Sequence, residues 1–352
     1  MTTSPSTKPS WYDSPLMRAV RREPTARVPV WLMRQAGRYM AEYRDVRKNI
    51  GFVELCKTPR LAADVMLTAV DKLGVDAAII FSDILLVLEP MGMSLTFSAG
   101  DGPVLEHPLR TPSDVERITE LADVSPLQFV FDVVTETRCG LDQRLPLIGF
   151  SGAPFTLAGY MIEGGGSNQF LETKRFMYRY PDAWEKLMGK LTNSLARYLR
   201  GQVDAGAQVV QIFDSWVGCL SCGDYSRYVL PATKQLIAQL RDIPTIYFGT
   251  GNPELLTLMK QAGSSVIGVD WRIDIAAACE RLGNDVAIQG NLDPAILLSE
   301  PEIVRNKTLN ILRKINGRDG YIFNLGHGIL PQTPVENVVT LVETVHGYNV
   351  RS

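Results

Sequence analysis

The chain has 352 residues, 45% of them apolar and 21% charged, with 36 basic side chains against 38 acidic ones. That is the composition of an ordinary globular protein with a sizeable core, and it argues against nucleic acid as the main partner, because no basic helix or stripe extends beyond one short segment. The longest apolar stretch, residues 75–88, contains Asp76 and Asp83 and is too short and too charged to cross a bilayer.

Taken in chain order, the first ten residues are rich in Ser, Thr and Pro. They read as part of a disordered arm over 1–12 with no secretory signal. Asp13, Ser14 and Pro15 then suit the cap and first turn of a helix near 15–22. The body expected to follow is one domain over 13–348. Residues 28–33 form an apolar, strand-like run that ends directly in Arg34 and Arg38, with Arg44 and Arg47 close behind. Between residues 21 and 48, eight positive side chains face three negative ones, a local +5 in a chain whose total is −2. Guanidinium groups fanning from a strand end, with Gly37 letting the backbone turn, suit two-point recognition of carboxylate or phosphate. A solvated basic loop is the plain alternative. Trp31, Met33 and Tyr39, interleaved with the arginines, favour a pocket for a large apolar polyanion.

Seven further β-branched or aromatic runs follow, at 77–82, 145–151, 208–214, 244–249, 266–270, 286–290 and 321–325. Helical patterns fall between them at 59–73, 180–204, 225–240, 253–261, 275–282, 301–315 and 334–346, several with proline in the first turn. Eight buried strands with crossover helices predict a closed parallel (β/α)8 (TIM) barrel, with its active site at the carboxyl ends of the strands. Those ends carry Arg34 and Arg38, then Ser82 and Asp83, then Ser151 with Tyr160 on the following loop. Asp214 and Ser215 come next, then Asp270 and Arg272, Gln289 and Asn291, and last Asn324 and His327. Polar residues gathered at one rim of an apolar barrel describe an active site. The five cysteines are odd in number and scattered, as in a reducing cytoplasm, and Cys219 and Cys222 make a lone CxxC with no second pair and no nearby histidine. His107 and His346 have no partner that the sequence can name.

The motifs Met33-Arg-Gln-Ala-Gly-Arg-Tyr39, Ile79-Ile-Phe-Ser-Asp-Ile-Leu85, Gly149-Phe-Ser-Gly-Ala-Pro-Phe-Thr-Leu157 with Tyr160-Met-Ile-Glu-Gly-Gly-Gly-Ser167, and Phe323-Asn-Leu-Gly-His-Gly328 resemble uroporphyrinogen decarboxylase. The resemblance runs from about residue 11 to 347. It implies a (β/α)8 barrel, usually a homodimer, that uses no metal or organic cofactor. It also implies an octacarboxylate tetrapyrrole substrate, from which four acetate carboxylates are removed to give coproporphyrinogen III on the way to haem and chlorophyll. The family's arginines fall on Arg34, Arg38 and Arg47, its aspartate on Asp83 beside apolar Ile79 and Phe81, and its tyrosine, serine and histidine on Tyr160, Ser215 and His327. Phe155 stands where some relatives have tryptophan.

Decarboxylation needs a sink for the electrons of the broken C–C bond, and the chain has no Walker loop, no complete GxGxxG, no HExxH and no evident Schiff-base lysine motif. A pyrrole protonated at the ring carbon beside the acetate-bearing methylene is its own sink. The protein must then supply an acid, an anion against the transient cation, and clamps for the carboxylates that stay. Asp83 suits the anion, with capping of the next helix as its structural alternative. Arg34, Arg38 and Arg47 suit the clamps, and Tyr160 and Ser215 hydrogen-bond donors to carboxylates. The acid is open between His327, by its ordinary pKa, and Arg34, by the resemblance. Two other readings stand beside this one. A corrinoid-linked methyltransferase of a related barrel would hold zinc through a His-x-Cys pair, but Gly328 and Ile329 follow His327. A tetrapyrrole carrier without turnover would have no need of Asp83.

Overall fold

A computed structural model describes residues 8–98, 102–251 and 253–349. Most of the arm expected over 1–12 (residues 1–7) lies outside the described residues. Within the remainder, Tyr12 N–H donates to Pro9 O at 2.9 Å, and Trp11 packs against the core.

The strands are β1 (Ala78–Ile79), β2 (Ser94–Ser98), β3 (Gly102–Glu106), β4 (Leu147–Gly152), β5 (Val209–Asp214), β6 (Thr245–Gly249), β7 (Val266–Gly268), β8 (Ala287–Leu292) and β9 (Tyr321–Leu325). Seven of them form one parallel sheet in the order β1-β4-β5-β6-β7-β8-β9. Every residue of β4 and of β6 to β9 is buried. That burial is why these strands read as near-continuous apolar runs, since a parallel sheet is covered on both faces.

The strand expected at 28–33 is a correction. This segment is extended, but it makes a single parallel bridge, Val30 to Phe323, instead of a ladder. It touches both free edges of the curled sheet, because Pro29 O accepts from Phe323 N at 2.8 Å and Val30 O accepts from Asp76 N at 2.7 Å. The ladder fails for a chemical reason. Pro29 has no N–H to give, and side-chain oxygens take the neighbouring amides: Asp76 Oδ2 that of Val30 at 2.8 Å, Gln35 Oε1 that of Leu32 at 3.1 Å and Asn324 Oδ1 that of Met33 at 3.2 Å. The observed architecture is therefore a curled seven-stranded parallel sheet with helices outside it.

Helices Pro59–Leu73, Ile275–Leu282 and Pro301–Ile315 fall where their patterns place them. The helix expected over 225–240 starts as a π-helical turn, Tyr225–Val229, before Leu230–Gln239. Pro231 removes an N–H just where the ladder would continue. The longest of the helices that escaped sequence reading are Gln128–Gly140, Pro154–Glu163 and Leu171–Arg179. The first is rich in β-branched residues, and the second is buried on all sides from Pro154 to Ile162, so it shows no amphipathic period. The antiparallel pair β2–β3 was also missed. Within the sheet the core is not wholly apolar, since Trp31 Nε1 donates to Gln289 Oε1 at 2.9 Å and Gln289 Nε2 donates to Gln211 Oε1 at 3.0 Å.

Candidate active site

A cleft of about 650 Å³ opens at the carboxyl ends of the strands, and it is lined by Arg34, Arg38, Arg47, Asp83, Tyr160, Ser215, His327, Ile79 and Phe81. All nine residues that the resemblance marks thus line one cavity.

The arginine wall is built by residues that do not face it. Arg34 sits at φ +62°, a left-handed conformation that costs a non-glycine residue energy and that clusters at functional sites. The turn is held by Gln35, fully buried, whose Nε2 donates to Ala77 O at 3.1 Å while its Oε1 holds the Leu32 amide. Tyr39 donates its hydroxyl to Gln35 O at 2.6 Å, and Arg44 Nη1 donates to Tyr39 O at 2.7 Å. Trp31, Tyr39 and Arg44 are therefore framework rather than pocket, and only Met33 of the interleaved apolar residues reaches the cleft. Arg47 closes the helix Ala41–Arg47 and lies over the Phe52 ring at 5.8 Å, which fixes its stem on an aromatic face.

Asp83 follows β1 and lines the same cleft. Its Oδ1 accepts from Leu85 N at 2.9 Å, opening the short turn Leu86–Leu88. The capping alternative thus accounts for one oxygen. Oδ2 takes no hydrogen bond among the described residues, and Asp83 lines the cleft. Desolvation raises the Asp83 carboxyl from its ordinary range to about 6, while the Leu85 amide and the Arg34 charge pull the other way. Arg34 faces the open cleft from a crowded floor. Desolvation there, then its neighbour Arg38, lower its guanidinium pKa, while Asp83 and Tyr160 raise it.

Tyr160 is not on a loop, as expected, but within the helix Pro154–Glu163, where burial raises its hydroxyl. It meets Trp216 edge to face, with ring centroids 5.9 Å apart. Ser215 stands one residue beyond β5, with its carbonyl receiving the Thr250 hydroxyl at 2.7 Å. His327 follows β9 and packs its ring against Phe248 at 6.4 Å, the end of an aromatic row in which Phe213 meets Phe248 at 6.0 Å and Phe150 at 5.5 Å. Desolvation, then the Arg34 and Arg272 charges, bring His327 down to about 4. At neutral pH it is an uncharged ring.

Of the remaining rim residues Ser82 also lines this cleft, and the others do not. Asp214 is fully buried and accepts from Thr156 Oγ1 and from Tyr247 OH, both at 2.7 Å. Asp270 holds Gly251 N at 2.8 Å and Arg272 Nη1 at 2.5 Å. Asn291 Nδ2 donates to Asp270 O at 2.9 Å. Ser151, Gln289 and Asn324 are buried. Missed from the sequence were Phe97 and Pro103 of the β2–β3 hairpin, which add to the apolar side, with Phe97 against Phe52 at 5.1 Å. Their signal was the alternation of Leu95 and Phe97 with Ser94 and Thr96, ahead of glycine. His346, for which the sequence names no partner, lies with Nε2 2.9 Å from the buried Asp76. Among the described residues no three His, Cys, Asp or Glu side chains gather as a metal site, and Cys219 and Cys222 are free thiols.

The arrangement sets three cations and one anion around an apolar pocket, a fit for a large ring carrying N–H donors at its centre and carboxylates at its edge. Comparisons agree with that chemistry. Residues 12–348 match the family described as uroporphyrinogen decarboxylase (URO-D). A uroporphyrinogen decarboxylase of Koribacter versatilis is 51% identical over 341 residues, covering 96% of this chain and 97% of the relative. One of Carboxydothermus hydrogenoformans is 50% identical over 332 residues, covering 94% and 95%. Among solved structures, a methyltransferase from Methanosarcina mazei superposes with a TM-score of 0.81 at 21% identity, covering 94% of this chain and 98% of that one. A putative vitamin-B12 independent methionine synthase from Listeria monocytogenes gives 0.59 at 11% identity, covering 92% and 97%. At such identities the two structures share the fold alone.

Proposed function

The chain belongs to the uroporphyrinogen decarboxylase family, and from that premise we propose that its cleft binds uroporphyrinogen III and removes the four acetate carboxylates as carbon dioxide, giving coproporphyrinogen III. The observation that carries this reading is the meeting of Arg34, Arg38 and Arg47 with Asp83 in one cavity of about 650 Å³. Asp83 Oδ2 accepts the pyrrole N–H donors that converge at the macrocycle centre, and its charge opposes the cation formed on the ring. Each turnover adds a proton to the ring carbon, breaks the bond between methylene and carboxylate, and sends that electron pair into the iminium. Protonation of the resulting exocyclic methylene and return of the ring proton leave a methyl group, with one proton consumed per carbon dioxide. The pyrrole is the electron sink, so no cofactor has a part in the reading. The direct test is anaerobic incubation with uroporphyrinogen, followed by counting carboxylates on the oxidised products. Recovery of the octacarboxylate alone would leave only the carrier reading.

Clamps that gripped the reacting carboxylate would stabilise the ground state and slow the step, so the arginines hold mainly the arms that stay. The reacting acetate lies toward the aromatic row, where losing a charge is favourable. Arg38→Ala should therefore raise KM with little change in kcat, since it removes an interaction present before and during reaction. A fall in kcat at unchanged KM would instead place Arg38 in the chemistry.

For the proton, we assign Arg34 the relay and leave His327 the orienting role, because a ring titrating near 4 is uncharged at pH 7 and cannot act as a cationic acid. His327→Asn should keep substantial activity and an unchanged pH profile, with an altered mixture of partly decarboxylated intermediates. Loss of a limb of the profile together with most of the rate would make His327 the acid.

The same reading takes residues 13–348 as one barrel domain, its seven-stranded sheet closed by the extended segment 28–33 in place of an eighth strand. Its supports are the contiguous core from Leu16 to Val345 and the hydrogen bonds of Pro29 and Val30 to both sheet edges. It takes the assembly as a homodimer, the form that goes with the family, and the compartment as the cytoplasm, where the exposed thiols of Cys139 and Cys222 stay reduced.

A further inference from the structure

We propose that Gly328 is a positioning residue for Arg34, present because any side chain there would displace the guanidinium from the cleft. This rests on the role given to Arg34 above. A Cβ placed on Gly328 would lie 2.4 Å from Arg34 Cδ, 2.7 Å from Cγ and 2.9 Å from Nε, closer than carbon atoms approach without bonding. Gly328 does not itself have a positive φ, so backbone conformation does not demand glycine at this position; space does.

Neither strand of backbone can back away. Ile329 N–H donates to Met33 O at 3.0 Å, one residue from each of the two partners. Met33 N–H donates to Asn324 Oδ1 at 3.2 Å and Trp31 N–H to Phe323 O at 3.4 Å, so the loop after β9 and the turn before Arg34 are stitched along their length. Arg34 is further held by its own left-handed φ of +62°. With both backbones fixed, the part free to move is the arginine stem, and its tip moves with it. The buried Gln35 forbids a shift of the following residue, because its amide group bridges Leu32 and Ala77.

A clamp or proton relay works only within a fraction of an ångström of its productive place, and a displacement of about 1 Å can cost about 100-fold in rate. Gly328→Ala should lower kcat/KM for uroporphyrinogen by about 10- to 100-fold on that basis. If Gly328 acts only through Arg34, the same substitution in the Arg34→Ala background, where the clashing atoms are gone, should cost less than about twofold, the usual scatter of independent changes. A glycine needed for the chain turn alone would cost the same in both backgrounds. Equal losses in the two backgrounds, or no loss in the first, would overturn the proposal. A crystal structure of Gly328→Ala supplies a readout free of turnover: the guanidinium should be displaced, and finding it unmoved would also overturn the proposal. Undiminished kcat/KM in Arg34→Ala alone would instead defeat the clamp and relay reading, and the Gly328→Ala structure would still decide the inference.

Discussion

Asp83→Asn should lower kcat/KM by about 100- to 1,000-fold, the loss typical of removing one preorganised electrostatic group, while the folded protein becomes more stable at neutral pH. The two effects have one cause. Burial raises the folded carboxyl from 3.8 to about 6, against the opposing pull of the Leu85 amide and Arg34. The folded state therefore binds a proton more tightly than the unfolded chain between about pH 4 and 6, and stability falls as pH rises through that window. Above it the ionised side chain destabilises the free protein by about 2 to 3 kcal/mol. On the proposed reading, that cost is recovered when the pyrrole N–H groups and a transient cation arrive. Asparagine keeps the shape and one acceptor but has no charge to offer. Thermal unfolding at pH 7 should show the variant above the parent, with the gap closing by pH 4. The parent's kcat/KM should fall as pH drops through about 6, and Arg34→Gln should move that limb upward, since the Arg34 charge holds the carboxyl down. Near-normal turnover in a well-folded Asp83→Asn would remove Asp83 from the chemistry.

Strand and helix positions in the sheet were legible because buried parallel strands are continuous apolar runs and the long outer helices carry a 3.6-residue stripe. The segment 28–33 looked no different from a strand, and its failure to make a ladder depends on Asp76, Gln35 and Asn324, side chains brought to its amides by the fold. The rim was legible as a set but not residue by residue. Asp214 and Ser215 are adjacent in sequence, yet Ser215 lines the cleft while Asp214 is fully buried behind it. Arg44 carries the same charge as Arg38 but spends it on backbone carbonyls. No periodicity separates such pairs, because each outcome turns on one bend of the chain. The nine residues that the family motifs mark do share one cavity.

Asp214→Ala should be a costly change outside the cleft, at about 3 kcal/mol, since it leaves two buried hydroxyls without their acceptor at roughly 1 to 3 kcal/mol each. Thr156 and Tyr247 both donate to this carboxylate at 2.7 Å, and Tyr225 OH lies 3.1 Å from Tyr247 OH. The cluster ties β5 and β6 to the helix Pro154–Glu163 and to the π turn Tyr225–Val229. Thr156 is one helical turn ahead of Tyr160, and Asp214 immediately precedes Ser215, so two cleft residues take their places from this buried group. The thermal midpoint should drop by about 6 °C, taking roughly 2 °C per kcal/mol at this chain length, and KM should rise in the fraction that remains folded. Asp214→Asn should behave differently. Burial raises the Asp214 carboxyl to about 6 even with both hydroxyls bound, so its ionised form also costs stability at pH 7. The amide removes that cost and keeps one acceptor, and its midpoint should stay within about 2 °C of the parent. Equal losses for the two variants would show that the two hydroxyl bonds contribute nothing and that the site needs the charge instead.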